Sequence, residues 1–195
     1  MNYPELRKLN GKLYFNREDI EDLFSIKPAS AKVLCSRYVK NNYLVRIKKD
    51  FYSLSENWAT YVQGDFFAIA NILQVPSYIS LMTALAYYEI TTQVQRNYFE
   101  SIAQKRTLKT TVAGVKFDFY KFKKEYYFDF VKKQGFFIAT KEKAFIDAVY
   151  LYSLGRYPLD VHSLDLKKLD IKRVSALAKA FPLKTRNMVR DLCRI

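Results

Sequence analysis

A set of basic and small polar residues between positions 17 and 49 carries the most distinctive chemistry in this sequence. Lysine and arginine bind phosphate oxygens, and arginine, lysine and serine also bond the edges of bases in the major groove. Small side chains such as serine let a helix backbone come close to a duplex. These residue types therefore predict contact with DNA, and the candidates are Arg17, Lys27, Ser30, Lys32, Ser36, Arg37, Lys40, Arg46, Lys48 and Lys49.

The overall charge points to the same class of partner. The 195 residues include 33 Lys and Arg against 19 Asp and Glu, a net charge of +14. Such a balance favours a polyanion, although a basic protein-binding face stays open as an alternative. Residues 61–195 hold +10 of this charge, and we expect a second basic surface near the end of the chain, for nucleic acid or an acidic protein. Its candidates are Lys167, Lys168, Lys172, Arg173, Lys179, Lys184, Arg186 and Arg190.

Residues suited to catalysis are sparse. His162 is the only histidine, the five glycines are isolated, and Cys35 and Cys193 form no CxxC pair. We therefore expect no catalytic activity, no metal site and no cofactor. We expect His162 on the surface and Cys35 in the core. Four acidic residues near predicted strand and helix ends leave a metal-dependent nuclease open as an alternative: Asp118, Asp129, Glu142 and Asp147.

The compartment is predicted from what the sequence contains. Its apolar runs are far shorter than the roughly 18 residues that a membrane-spanning helix needs. Residues 1–10 are polar and charged, which is not typical of a secretory signal. With two distant cysteines, the sequence favours a reduced, cytoplasmic setting and no membrane partner.

The first 60 residues have the element order of a winged helix-turn-helix. Asn16 and Asp19 form a capping-box pattern before one helix, and Pro28 suits the first turn of the next helix. Asn41 and Asn42 are expected to end that second helix. The alternating pattern that begins at Leu44 then predicts a β-hairpin over residues 44–54, with a basic turn. The buried side of the second helix is predicted to consist of Ala31, Leu34, Cys35 and Tyr38.

Residues 65–195 predict a second domain, joined to the first near Gly64. Helices are expected from Pro76 to Tyr88, after Thr140 and over 167–180 and 184–193, with strands over 93–103, 110–112, 115–122, 126–130 and 135–139. The predicted fold class is α+β: an N-terminal winged helix-turn-helix (1–60), then a mixed α/β C-terminal domain (65–195) with a mainly antiparallel sheet. Lys143 and Asp147, four residues apart, can form an ion pair, which on an exposed helix contributes a few tenths of a kcal/mol.

Three segments resemble one protein family, in that family's order. Residues 44–52, LVRIKKDFY, are similar to the wing of the AbiEi-type antitoxins of type IV toxin–antitoxin systems, which act in abortive infection. Residues 76–88, PSYISLMTALAYY, resemble the helix that follows the winged domain in that family. Residues 141–151, KEKAFIDAVYL, resemble its later helix. The resemblance covers about residues 10–155, and it differs at Asp50, where the family wing usually has glycine.

The resemblance implies a particular function. The winged domain would bind inverted repeats in double-stranded DNA at its own promoter and repress transcription. The C-terminal domain would add DNA affinity and counter a nucleotidyltransferase-like toxin, without requiring a stable complex with it. A stand-alone winged-helix regulator, or a module that binds protein or RNA without a toxin partner, remains the alternative.

Overall fold

The structure is a computed structural model that describes residues 3–93 and 95–194. It contains two compact units, which meet between Ile69 and Ala70. This boundary lies inside a helix, Gln63–Leu73, and Gly64 is part of that helix. The expected joint at Gly64 is therefore helical.

The first unit alternates short helices with a small sheet. Its three strands have the order β1-β3-β2, and both pairings are antiparallel. The elements are α1 (Tyr3–Leu6), a 3₁₀ turn (Arg7–Leu9), β1 (Phe15–Asn16), α2 (Arg17–Phe24), α3 (Pro28–Lys40), β2 (Leu44–Lys48), β3 (Phe51–Leu54), α4 (Ser55–Trp58) and the start of α5 (Gln63–Leu73).

Helix α2 begins with the capping box that the sequence predicts. The Asp19 amide donates to Asn16 Oδ1 at 2.9 Å, and the Asn16 amide donates to Asp19 Oδ2 at 2.7 Å. Two amides that lack partners within the helix are thereby satisfied. Helix α3 has Pro28 at its first position, where the missing N–H costs nothing.

The connections around the β2–β3 hairpin require left-handed backbone. Asn42 follows α3 with φ of 58°, and Asp50 has φ of 61° in the hairpin turn. Asparagine and aspartate adopt this conformation more readily than most residues with a side chain. The register of β2 and β3 shifts between Arg46 and Lys48, so Ile47 forms a bulge. The turn therefore forms at Asp50 without the glycine that is usual in the resembling family.

The core of the first unit joins its helices to its sheet. Ala31, Cys35 and Tyr38 are buried, as predicted, and Leu34 is half-buried beside them. The other buried members of this cluster are Leu6, Leu9, Phe15, Ile20, Leu44, Tyr52 and Leu54.

The second unit combines a six-stranded sheet with helices. After the rest of α5 it contains β4 (Ser77–Ile79), α6 (Leu81–Tyr87), β5 (Tyr98–Ala103), β6 (Leu108–Val112), β7 (Val115–Lys121), a 3₁₀ turn (Lys124–Tyr126), β8 (Phe130–Lys133), β9 (Phe136–Ala139) and α7 (Lys141–Ser153). Two 3₁₀ turns (Val161–Ser163, Leu166–Lys168), α8 (Ile171–Ala178) and α9 (Leu183–Cys193) complete it.

The sheet of the second unit is mixed. Its strand order is β6-β7-β5-β4-β9-β8. The pairs β6–β7, β4–β5 and β8–β9 are antiparallel, whereas β5–β7 and β4–β9 are parallel. The chain is therefore α+β, as predicted, and three of the five strand pairings of this sheet are antiparallel, while the two parallel pairs on either side of the central β4–β5 pair are not expected from the sequence.

Several predicted elements of the second unit are wrong in type or extent. The helix predicted to open at Pro76 begins at Leu81, because residues 77–79 form the buried strand β4. The predicted strand 126–130 is replaced by a 3₁₀ turn and by β8, which starts at Phe130. The predicted strand 93–103 begins only at Tyr98, and Val94 lies outside the described residues. The predicted helix 167–180 is a 3₁₀ turn followed by α8.

Candidate nucleic-acid interface

Helix α3 has one buried side and one exposed side. Its buried line passes through Ala31, Cys35 and Tyr38. A residue two positions from a buried one lies about 200° around the helix axis, on the opposite side. Ala29, Val33, Ser36 and Lys40 therefore face outward, and all are exposed.

Most of the predicted DNA-contacting residues of α3 flank this outward line. Arg37 is next to Ser36, and Ser30 and Lys32 lie on either side of Val33. All three are exposed, as is Lys27, which precedes the helix. The Ser36 hydroxyl donates to the Lys32 carbonyl at 3.0 Å, so its proton is already engaged within the helix. The outward line of α3 thus consists of small residues as far as Ser36 and ends at Lys40, and Lys32 and Arg37 lie beside it.

The hairpin adds further cations after α3. Arg46 and Lys49 are exposed, and Lys49 lies in the turn between β2 and β3. Lys48 is half-buried, and its Nζ lies 4.4 Å from the centre of the Phe51 ring. Phe51 therefore holds the Lys48 ammonium against the hairpin, while Arg46 and Lys49 extend into solvent.

The charges of this surface are mostly available for an external partner. Among the residues that the structure describes, none of the following six forms an ion pair: Lys27, Lys32, Arg37, Lys40, Arg46 and Lys49. We call these six residues the basic face. Arg17 differs, because its Nε donates to Glu21 Oε1 at 2.7 Å and its side chain is half-buried. Arg17 is thus paired with Glu21 within α2, and it is not counted in the basic face.

Ala29 and Val33 are not among the residues that the sequence predicts to contact DNA. Both face outward on α3, and Val33 is 51% exposed. The signal was present in the sequence, since each residue lies two positions from a member of the predicted buried line. A search confined to charged and hydroxyl side chains passes over them.

The predicted second basic surface is divided in the structure. Lys168 Nζ donates to the Glu89 carbonyl at 2.7 Å, and Arg173 pairs with Asp129 at 2.8 Å and Glu142 at 3.9 Å. These two cations are engaged within the second unit. The other six, all exposed, form no ion pair in the described part of the chain: Lys167, Lys172, Lys179, Lys184, Arg186 and Arg190.

Three of those six cations surround one groove. Lys179, Arg186 and Arg190 line a space of about 270 Å³ between α8 and α9, together with Val189. Lys172 lines a neighbouring groove along α8. Lys167 and Lys184 line neither of these grooves. The concentrated part of the second basic surface is therefore the α8–α9 groove.

The four acidic residues on which the nuclease alternative depends each accept a hydrogen bond from a neighbouring group. Asp129 accepts from the Thr140 hydroxyl, Glu142 accepts from the Asp170 amide, and Asp118 accepts from the Tyr98 hydroxyl. In residues 3–93 and 95–194, the structure contains no group of three or more His, Cys, Asp or Glu side chains placed to hold a metal ion. His162 is exposed and Cys35 is buried, as predicted.

Asp147 belongs to a buried ion pair rather than to an exposed one. Asp147 and Lys143 are both fully buried, and Lys143 Nζ donates to Asp147 Oδ1. Asp147 Oδ2 also accepts from Tyr78 at 3.0 Å and from Ser80 at 2.8 Å. Burial raises the pKa of Asp147 and lowers the pKa of Lys143. Both members of the pair lie on α7, and the hydrogen bonds to Tyr78 and Ser80 connect it to β4 and to the residue that follows β4.

A second buried carboxylate lies on β5. Glu100 Oε2 accepts from the Tyr157 hydroxyl at 2.9 Å, and Oε1 accepts from the Tyr98 hydroxyl at 3.3 Å. Burial raises the pKa of Glu100 to about 7, although the two tyrosine hydrogen bonds act in the opposite direction. Both oxygens thus have protein donors, and Tyr98, Glu100 and Tyr157 line one cavity of about 620 Å³.

Comparison with known proteins adds no assignment to this geometry. The sequence matches no protein-family model, and no curated protein matches it. A search of the described helices for one long and apolar enough to cross a bilayer found none.

Proposed function

We propose that the chain is a sequence-specific, double-stranded-DNA-binding transcriptional regulator without catalytic activity. In this proposal the first unit is a winged helix-turn-helix, in which α2 and α3 form the helix pair and the β2–β3 hairpin forms the wing. The observation that carries it is the basic face: six cations that form no ion pair with any residue the structure describes, placed just before α3, along α3 and on the hairpin.

The shape of α3 supports the same proposal. A recognition helix enters the major groove and presents small side chains toward the base edges, while longer cations reach the phosphates. Ala29, Ser36 and Val33 are small enough for that approach. Arg37 lies beside them and carries the fork of donors that pairs with guanine O6 and N7. Arg46 and Lys49 extend from the hairpin, where a wing contacts the DNA backbone.

The resemblance to AbiEi-type antitoxins extends the proposal. The chain would bind inverted repeats at its own promoter, repress transcription there, and counter a nucleotidyltransferase-like toxin. It would act in the cytoplasm, where both the promoter and such a toxin are found. The residues that carry this extension are the three resembling segments, 44–52, 76–88 and 141–151.

The first test measures binding as a function of salt. A labelled duplex with the promoter of the chain's own gene and a scrambled duplex are titrated with the protein while fluorescence anisotropy is recorded. Each phosphate contact contributes about −0.9 to the slope of log affinity against log salt. If Arg37 reads a base and the other five cations of the basic face reach phosphates, the slope approaches about −4.5 per protomer. A slope near zero would refute the proposal.

Variants then locate the contact. Arg46→Ala is expected to weaken binding to both duplexes equally and to reduce the salt slope by about one. Arg37→Ala is expected to weaken binding to the promoter duplex more than to the scrambled one, by about tenfold or more. Lys121→Ala is the matched control, because Lys121 is exposed on β7 and forms no ion pair among the described residues. Equal losses for Lys121→Ala and Arg46→Ala would show that only net charge matters.

A further inference from the structure

The centre of the outward side of α3 is apolar. Val33 lies there with 51% of its surface exposed, one turn after Ala29 and one turn before Arg37. These three residues line a shallow groove of about 530 Å³ that Ile26, Ser30 and Leu34 complete. Of the basic-face cations, Arg37 lines this groove, and no acidic residue is among its lining residues.

Packing in the first unit does not require a valine at position 33. Val33 is absent from the buried cluster of the first unit, and β-branched residues are less favourable in helices than alanine. A single exposed valine is ordinary on a general protein surface. Val33, however, occupies the part of α3 that would lie closest to the base edges when the basic face contacts phosphates.

Major-groove edges offer one apolar group to such a side chain. Adenine, guanine and cytosine present hydrogen-bond donors and acceptors there, whereas thymine also presents its C5 methyl group. We propose that Val33 recognises thymine by packing its two methyl groups against that C5 methyl. This inference rests on the proposed DNA-binding function and assigns a base preference to the same surface.

The helix also fixes how far this thymine lies from a base that Arg37 reads. Val33 and Arg37 are four residues apart, which corresponds to about 6 Å along the helix axis. Successive bases of one strand are about 3.4 Å apart along the duplex axis. The thymine contact and the Arg37 contact are therefore expected within about two base-pair steps of each other.

The test removes the C5 methyl group from the DNA and the two γ-methyl groups of Val33 from the protein in turn. Tight-binding duplexes are first selected from a random pool, and each thymine of the best one is then replaced singly by deoxyuridine, which lacks only the methyl. Burying one methyl contributes a factor of about four in affinity. We expect one thymine per half-site at which deoxyuridine lowers the affinity of the wild-type protein about fourfold. At that position Val33→Ala is expected to bind the parent duplex and the deoxyuridine duplex with equal affinity.

The test variant Val33→Ala and a control variant, Val62→Ala, make the outcomes distinct. Val33→Ala keeps the helix, since alanine is the better helix former. Val62→Ala removes a valine of the same unit that is even more exposed, at 67%, and is expected to keep the deoxyuridine loss at the same thymine. If every deoxyuridine duplex binds as tightly as its parent, or if Val33→Ala keeps the loss, thymine recognition is wrong while DNA binding stands. If no duplex is bound, the proposed function fails as well.

Discussion

Replacing Asp147 by asparagine tests whether the buried ion pair of the second unit determines its stability. Asp147 accepts hydrogen bonds from Lys143, Tyr78 and Ser80, and both members of the ion pair are fully buried. Asparagine has nearly the same shape, so Asp147→Asn removes the charge with little change in packing. Lys143 then keeps its ammonium group without an anion beside it.

The size of the effect follows from the surroundings of Lys143. Its Nζ lies 5.0 to 5.5 Å from the centres of four rings, those of Tyr78, Phe122, Phe128 and Phe181. The ring faces attract the cation but replace only part of the lost hydration. Removing one partner of a buried pair costs about 3–5 kcal/mol, against about 5–15 kcal/mol for the stability of a typical domain. Asp147→Asn is therefore expected to remove a large share of the second unit's stability.

Urea unfolding followed by far-ultraviolet circular dichroism measures this loss. The double variant Lys143→Met, Asp147→Leu removes both charges and is expected to be much more stable than Asp147→Asn, because no unpaired charge stays buried. Glu5→Gln is the control, since it breaks an exposed pair with Lys8 and is expected to change the free energy of unfolding by under about 1 kcal/mol. A loss below about 1 kcal/mol for Asp147→Asn, or a double variant no more stable than Asp147→Asn, would refute the reasoning.

Three further predictions concern individual residues. The pKa of Glu100 in the folded chain, about 7, exceeds its ordinary value of 4.5, so the folded state holds this proton more tightly. Its contribution to stability, about 3 kcal/mol, is present below pH 4.5 and lost as the pH rises through 7. In urea titrations at several pH values, we expect the free energy of unfolding of Glu100→Gln to depend less on pH than that of the wild type. Asn16→Ala removes half of the capping box and is expected to cost about 1 kcal/mol, measured as a lower thermal midpoint; an unchanged midpoint would contradict it. At Asp50, with φ of 61°, Asp50→Gly is expected to be about 1 kcal/mol more stable than Asp50→Ala, because only the alanine pays for left-handed backbone; equal stability would contradict this account.

Local rules explain which parts of the fold were predictable. The cap at Asn16, the first-turn proline at Pro28 and the cap at Thr140, which accepts from the Lys143 amide, depend on residues a few positions apart. The sequence shows those contacts directly. Strand β4 was missed because its position is set by β5 and β9, which come later in the chain. The central strand of a sheet is chosen by its partners as much as by its own sequence.

The candidate site shows the same division. Exposure of the basic residues on α3 could be predicted, because the buried line Ala31, Cys35 and Tyr38 fixes the opposite side. The engagement of Arg173 by Asp129 and Glu142 could not, since those residues are distant in sequence. The four rings around Lys143 likewise come from separate elements. An ion pair that looks ordinary by its spacing was therefore buried by tertiary packing.

The parallel pairing of β4 with β9 has a consequence for biosynthesis. Ile79 pairs with Ile138, so the middle of the second unit's sheet cannot assemble until the ribosome has delivered both segments. The first unit instead relies on neighbours such as α2 with α3 and β2 with β3, whose contacts close short loops at little entropic cost. We therefore expect the first unit to acquire its structure during translation while most of the second is still unmade, so that the basic face matures before the remainder of the chain.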